Sequence, residues 1–243
     1  MNLNKLFLTN NDCYKAGKKI TVKGIMVHST GANNPWLKRY LPDDGKIGKN
    51  QYGNHWNTAR PGGIQVCVHG FIGKLADGSV ATYQTLPWNH RGWHAGGSAN
   101  NTHIGFEICE DGLSDSTYFN KVYKEAVELC AYLCKEYGLT EKDIICHSEG
   151  YKKGIASNHG DVMHWFPKHG KSMDTFRSDV KKLLSGNTTA AVTELITVND
   201  IVWELAHRGI ISDSVLWLKK LEEDTNSYWL ARKTANYLRN KNV

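Results

Sequence analysis

The sequence predicts an α/β domain, in which a sheet is flanked by helices, followed by a small helical unit. Two features carry this prediction. Short segments rich in β-branched residues alternate with longer segments of helical periodicity up to about residue 184, and only helix-capping signals follow a polar linker. The chain has 243 residues, of which 40% are hydrophobic and 22% charged, and this composition is typical of a folded globular protein.

The first strands follow from alternation and turn signals. A buried strand is predicted at 22–27, where β-branched residues run into turn-forming residues, so His28 stands at a strand end. The turn signal Ala76-Asp77-Gly78 separates two alternating runs, 64–72 and 79–85. This arrangement predicts a β-hairpin.

The middle of the chain combines a loop, a strand and a long helix. Segment 86–101 is dense in Trp, His, Gly and Asn, which is typical of a functional surface loop, and 103–108 is predicted to be a strand. A helix is predicted over 118–137, because apolar residues recur with the spacing of one helix face. Gly138 stands where a C-cap is expected.

The first domain closes with a short strand, a polar loop and a helix. The strand is predicted at 143–146, just before His147, and the loop is expected to continue to Lys171. Ser172 is expected to cap a helix whose apolar residues share one face. The first domain is therefore expected to span residues 1–184.

The C-terminal part differs in kind from the first domain. Residues 185–191 have the small, polar composition of a linker. Residues 192–243 predict three short helices, with N-caps at Asn199 or Asp200, at Ser212 and at Ser227.

The charge of the chain is unevenly distributed. Residues 190–243 carry seven Lys and Arg against seven Asp and Glu, so the net charge of +6 lies in the first 189 residues. A basic excess favours an anionic partner such as a nucleic acid, a membrane surface or a phosphate-rich polymer, although it equally serves solubility alone.

The cysteines argue against two kinds of structural framework, and the N-terminus indicates a soluble protein made in the cytoplasm. Six cysteines without a CxxC pair argue against a disulfide framework and a thiolate zinc cluster, and Cys130 and Cys134 lie on the apolar face of the predicted long helix. The first ten residues lack the apolar core of a signal peptide. No apolar run reaches the length of about 18 residues that a membrane span requires.

Several of the eleven histidines stand where chemistry is expected. Most histidines in proteins have structural roles and form hydrogen bonds with their surroundings. Some here lie at strand ends or in the long loops, together with one aspartate: His28, His94, His147, His159 and Asp161. Catalytic zinc takes three N or O ligands and leaves a fourth position for water, and two histidines with a carboxylate are one workable set. These positions can supply such a set.

Five short motifs occur in a fixed order along the chain. They are GIMVHST at 24–30, GWHAG at 92–96, NTHIGFEI at 101–108, CHSE at 146–149 and NHGD at 158–161. Together they resemble the type-2 N-acetylmuramoyl-L-alanine amidases, a family that includes phage lysins and is similar to peptidoglycan recognition proteins. The resemblance spans roughly residues 23–180 and implies a mixed central sheet flanked by helices.

The resemblance also implies a set of zinc ligands. His28 and His147 match the first two ligands of the family, and Asp161 matches the third. Asp161 follows His147 by fourteen residues, a wide gap that an insertion at 150–157 would explain. His159 is the alternative third ligand.

Two catalytic roles follow from the same resemblance. Glu107 matches an acidic residue of the family that acts as the general base for water. One alternative is that its carboxylate pairs with a basic group. Another is that it faces solvent, because it lies on the opposite strand face from Phe106 and Ile108. His159 stands two residues before Asp161, where many members carry a lysine that stabilises the oxyanion. A histidine does this only when the nitrogen facing the oxyanion carries a proton.

Substrate contacts are implied for one loop. His94 resembles the family's histidine that lines the substrate groove, with an ordinary loop histidine beside Trp93 as the alternative. Trp93 is expected to hold the polymer together with His94.

The implied function is zinc-dependent hydrolysis of the amide bond between N-acetylmuramic acid and L-alanine in bacterial peptidoglycan, by a phage or prophage endolysin with one zinc ion per chain. Such a protein would act at the cell wall after release, could contact anionic wall polymers, and would have no nucleic-acid partner. Residues 192–243 are expected to bind the wall or to form a homodimer. Two alternatives stay open: a peptidoglycan-binding module without catalysis, and a zinc peptidase that cuts within the stem peptide.

Overall fold

The computed structural model describes residues 1–185 and part of the remaining chain. The described residues of the second part are 201–202, 205, 210–212, 214–223, 227, 231 and 234. The chain divides into two units, 1–185 and 186–243.

Six strands form one mixed sheet in the first unit. They are β1 Leu3–Lys5, β2 Gly24–Ser29, β3 Gly70–Lys74, β4 Val80–Gln84, β5 His103–Ile108 and β6 Ile144–Cys146, in the spatial order β1-β4-β3-β5-β2-β6. Strands β3, β5, β2 and β6 run parallel, whereas β4 is antiparallel to β3. The parallel strands bring their carboxyl ends to one edge, where open α/β sheets bind ligands.

Four α-helices accompany the sheet in the first unit. They are α1 Asp12–Ala16, α2 Ser116–Tyr137, α3 His147–Lys152 and α4 Met173–Leu184. Single 3-10 turns lie at Leu37–Arg39, Pro61–Gly63, Ser98–Asn101, Glu141–Asp143 and Phe166–His169. No helix of the described residues has both the length and the apolar character that a membrane span requires.

The predictions for the two long helices are confirmed by their caps. The side chain of Asp115 accepts a hydrogen bond from the Tyr118 amide at the start of α2, and Gly138 ends this helix with φ 64°. Ser172 caps α4 by accepting from the Thr175 amide. Cys130 and Cys134 are buried in the core, as predicted from their spacing.

The two faces of the sheet have different coverings. Ile25 and Val27 of β2 belong to the main core, which includes the apolar faces of α2 and α4. Met26 points to the other face and packs in a smaller cluster with residues of the loops 95–99 and 155–156. Because strand side chains alternate, His28 shares the face of Met26. In β5, Glu107 likewise lies opposite the core residues Phe106 and Ile108.

Three local predictions differ from the structure. The first strand is Gly24–Ser29 rather than 22–27, because β2 pairs with β5 as far as Ser29↔Ile108. The hairpin strands are shorter than predicted, at Gly70–Lys74 and Val80–Gln84. The polar loop predicted from His147 is wrong at its start, since His147 begins α3. Glu149 stabilises this start by accepting from the Cys146 amide at 3.1 Å.

One disulfide was not predicted. Cys13 of α1 is bonded to Cys67 in the segment before β3, although 54 residues separate them. Tertiary contacts bring the two segments together, and one of them is a hydrogen bond from the Asn11 side chain to the Val66 carbonyl. The other four cysteines are free and buried.

The second unit contains a helix, α5 Ser214–Glu223, close to the helix predicted from the Ser212 cap. Its buried residues form a small cluster of Ile201, Val202, Leu205, Ile211 and Leu221. Residues 186–191 of the predicted linker and most of the other two predicted helices lie outside the described residues. Wall binding or dimerisation by residues 192–243 stays a prediction.

Candidate metal centre

Three side chains converge near the carboxyl ends of β2 and β6. One nitrogen each of His28 and His147 and one oxygen of Asp161 lie within 4.8 Å of one another. His28 Nδ1 is 3.1 Å from Asp161 Oδ2 and 3.1 Å from His147 Nδ1, and His147 Nδ1 is 3.7 Å from Asp161 Oδ2. The exposed fractions are 1%, 4% and 9% for His28, His147 and Asp161. The cluster is therefore buried and compact.

The fold explains how residues so far apart in sequence meet. Strand β2 pairs with β6 in the register Val27↔Cys146. His28 and His147 directly follow this pair, His28 still in β2 and His147 at the start of α3. The carbonyl of Asp161 accepts a hydrogen bond from the Ser148 amide at 3.3 Å, which holds the returning loop against the start of α3.

The protonation states of the cluster suit metal binding. Burial lowers the pKa of His147 to about 4, so this imidazole is neutral near pH 7 and has a free lone pair. Burial opposes ionisation of Asp161, but the neighbouring His28 and His147 hold the pKa of the carboxyl below its usual range. Two imidazole nitrogens and a carboxylate oxygen are a donor set that zinc accepts, and the cluster fits this ion.

Glu107 lies beside the cluster. It is opposite His28 in the β2–β5 register, and its Oε2 atom is buried without a hydrogen-bond partner among the described residues. Burial raises the pKa of Glu107 to about 7; His28 opposes this shift, and the carboxylates of Asp161 and Glu110 add to it. A carboxylate that titrates near neutral pH and has an unused oxygen can accept a proton from water.

His94 lies beneath the cluster rather than at the surface. Only 9% of the residue is exposed. Its Nδ1 atom is 2.9 Å from His28 Nε2, and its Nε2 atom is 3.2 Å from the His103 carbonyl oxygen. Burial, with the nearby His28 and His69, lowers the pKa of His94 well below its usual value.

The other predicted site residues lie at the surface. Trp93 is 36% exposed, and the guanidinium carbon of Arg91 lies 4.5 Å from the centre of one of its rings. His159 is exposed, with its ring centre 4.7 Å from that of His147. The three-residue cluster includes Asp161 and not His159. Substrate contact by Trp93 and His94, and oxyanion stabilisation by His159, stay predictions.

Sequence reasoning missed two polar residues of the site. Ser157, in the insertion at 150–157, places its hydroxyl 3.2 Å from His147 Nε2. Glu110 is buried, accepts a hydrogen bond from the Gly31 amide and lies 2.8 Å from His164 Nε2. No local pattern in the sequence marks Ser157. Glu110 lies two residues beyond the end of the strand that carries Glu107, and this short distance in sequence could have indicated that it lies near the site.

Comparison with known protein families identifies a match over most of the first unit. A family described as N-acetylmuramoyl-L-alanine amidase matches residues 18–164, which is more than half of the chain. The matched range contains His28, His147, Asp161 and Glu107.

Two curated relatives match shorter segments. N-acetylmuramoyl-L-alanine amidase XlyA of Bacillus subtilis (strain 168) is 40% identical over 68 residues, which are 27% of this chain and 22% of that protein. A probable N-acetylmuramoyl-L-alanine amidase of Bacillus licheniformis is 33% identical over 100 residues, which are 41% of this chain and 25% of that protein. The matches thus span about a quarter of the length of these relatives.

A solved structure shares the fold. The catalytic domain of XlyA superimposes with a TM-score of 0.51 at 23% identity, covering 74% of this chain and 99% of that one. The mixed sheet flanked by helices is therefore the fold of an amidase catalytic domain, as the sequence motifs predicted.

Proposed function

This chain belongs to the N-acetylmuramoyl-L-alanine amidase family, and from that premise we propose that it hydrolyses the amide bond between N-acetylmuramic acid and L-alanine in bacterial peptidoglycan, as a zinc-dependent endolysin. The observation that carries the proposal is the compact cluster of His28, His147 and Asp161, with the unpaired carboxylate oxygen of Glu107 beside it.

One zinc ion per chain would be held by His28, His147 and Asp161. Zinc in such a site polarises a carbonyl oxygen and generates a nucleophile from water near neutral pH. The amide between the lactyl group and L-alanine needs both effects, because water alone is a poor nucleophile towards a stable amide.

Glu107 supplies the proton transfers. As the attacking water forms a C–O bond to the lactyl carbonyl carbon, the Glu107 carboxylate accepts a proton from that water. The same carboxyl then gives the proton to the alanine nitrogen as the C–N bond breaks. The products are a lactyl carboxylate on the sugar and a free amino group on L-alanine.

Surface residues around the cluster complete the proposed site. His159 lies beside His147 and is exposed, so its ring can donate to the carbonyl oxygen as negative charge develops there. Trp93, with Arg91 over its ring, offers an aromatic face to the polymer. The basic excess of the first 189 residues supports contact with anionic wall polymers.

The reaction products identify the bond that is cut. We expect digestion of purified peptidoglycan by the full chain to release stem peptides that begin with a free L-alanine amino group, and glycan strands that keep the intact lactyl group. Mass spectrometry of the products after chemical labelling of new amino groups measures both. New amino groups at other positions of the stem would show a peptidase instead, and wall binding without new amino groups would show a binding module. A mock digestion without protein provides the background.

A further inference from the structure

We infer that one short segment, His94–Ala95, sets the tautomer of both histidines of the metal centre, so that each directs an Nδ1 lone pair at the same point. The inference rests on the proposed zinc-dependent function. It gives His94 a positioning role in place of a contact with substrate. The segment acts through two hydrogen-bonded chains, one for each histidine.

The first chain runs from His28 through His94 to a backbone carbonyl. The His103 carbonyl oxygen can only accept, so His94 Nε2, at 3.2 Å from it, carries the proton. In the neutral ring, His94 Nδ1 then has the lone pair and accepts from His28 Nε2 at 2.9 Å. With its proton on Nε2, His28 keeps the Nδ1 lone pair free. This is the atom that lies 3.1 Å from both Asp161 Oδ2 and His147 Nδ1.

The second chain runs from His147 through Ser157 to Ala95. The Ser157 hydroxyl donates to the Ala95 carbonyl at 3.3 Å, and its oxygen lies 3.2 Å from His147 Nε2. The hydroxyl proton is engaged at Ala95, so the Ser157 oxygen accepts from His147 Nε2–H. His147 Nδ1 is left with its lone pair facing the cluster. Both histidines therefore present the same ring nitrogen, although they belong to different elements.

The segment that holds both chains is itself fixed by a buried side chain. Asn100 is 2% exposed, and its carboxamide oxygen accepts from the His94 amide at 2.9 Å and from the Ala95 amide at 2.8 Å. The neighbouring Trp93 pairs through its backbone with Cys67, which belongs to the disulfide. Rigid placement of this segment is what orients two ligands at once.

Two glycines leave the space that these chains require. A Cβ atom on Gly105 of β5 would overlap the His94 ring, so the strand must lack a side chain where the imidazole lies over it. A Cβ atom on Gly96 would lie 2.5 Å from Ser157 Oγ. At Gly96 of the GWHAG motif and Gly105 of the NTHIGFEI motif, any larger residue would therefore clash with Ser157 or His94.

A matched pair of variants at position 94 separates hydrogen bonding from packing. Asparagine and leucine have nearly the same shape, but only asparagine places an acceptor, Oδ1, where His94 has Nδ1. We expect His94→Leu to weaken zinc binding by about 10- to 100-fold, the usual effect of losing the partner of a ligating histidine, and His94→Asn to restore most of it. Ser157→Ala is expected to weaken binding in the same range. Zinc dissociation constants from chelator competition measure these effects, and circular dichroism melting checks that each variant is folded.

The wild-type, metal-free chain gives a second test that needs no variant. Two-bond ¹H–¹⁵N correlation spectra in mildly alkaline buffer report which ring nitrogen carries the proton, and we expect Nε2 for both His28 and His147. Equal zinc affinity of the asparagine and leucine variants, or a proton on Nδ1 of either histidine, would overturn the inference. A failure of the proposed function can be distinguished from a failure of this inference. If the wild-type chain binds no zinc, the proposed function fails, but the spectra would still show the proton on Nε2 of both histidines.

Discussion

Replacing either histidine of the cluster with alanine is expected to abolish zinc binding and nearly all turnover. In His28→Ala or His147→Ala, only one imidazole and one carboxylate remain, and two ligands hold catalytic zinc poorly. Metal assistance contributes several kcal/mol of transition-state stabilisation, and each ~1.4 kcal/mol corresponds to a factor of ten, so we expect turnover to fall by about a thousandfold or more. Metal analysis of the purified variants and turnover on a soluble muropeptide measure the two effects.

His55→Ala provides the matched control for these variants. His55 is a half-buried loop histidine, and its Nδ1 accepts a hydrogen bond from the Asn57 amide. Because it lies outside the cluster, its loss should leave zinc content unchanged. If His28→Ala kept both zinc and turnover while remaining folded, the cluster would not be the metal site.

The third ligand is decided by the same measurement on two further variants. Asp161→Ala should lose zinc, because Asp161 Oδ2 lies 3.1 Å from His28 Nδ1 within the cluster. His159→Ala should keep zinc and lose only turnover. The opposite pattern would make His159 the ligand and reverse the two assignments.

The second large effect is expected for Glu107→Gln. An amide of the same shape cannot accept a proton from water, so the variant should bind zinc normally while turnover falls by about 10²- to 10⁴-fold. Since burial raises the pKa of Glu107 to about 7, the ionised base of the wild-type protein becomes more populated as the pH rises through this value. We therefore expect kcat/KM of the wild type to rise with pH across that range, as measured on a soluble muropeptide.

Glu110→Gln distinguishes proton transfer from a general loss of negative charge. Glu110 is also buried, and its carboxylate contributes to the raised pKa of Glu107. The glutamine can still accept from the Gly31 amide, so this variant should lose far less activity. Equal losses in Glu107→Gln and Glu110→Gln would mean that charge alone matters, and an unchanged rate in Glu107→Gln would leave that residue without a catalytic role.

The sequence predicted those strands and helices that are determined by interactions between residues close together in the chain. Strand β5 has the predicted bounds, and α2 ends at Tyr137 with Gly138 as its C-cap. Alternation, helical periodicity and caps act between near neighbours in sequence, so they can be recognised without the fold. The start of α3 at His147 was missed, since a cap from Glu149 to the Cys146 amide outweighed the polar composition of the segment.

The features that sequence could not give depend on tertiary contacts. Ser157 reaches His147 only because the chain turns back after α3, where the Ile155 amide donates to the Gly150 carbonyl. The Cys13–Cys67 bond joins segments that no spacing rule connects. His94 lies in a segment with the composition of a surface loop. It is buried because Gly105 leaves room for its ring and Asn100 holds its backbone. Motif matching indicated these positions without indicating what each one contacts.

The most direct test of the zinc-dependent mechanism is to measure turnover of a soluble muropeptide by the metal-free full chain as zinc is added back. The His28, His147 and Asp161 cluster predicts no measurable turnover before addition, a rise in proportion to added zinc, and a plateau at one equivalent per chain. Full turnover by a chain shown to be free of metal, or a plateau only at two equivalents, would contradict it.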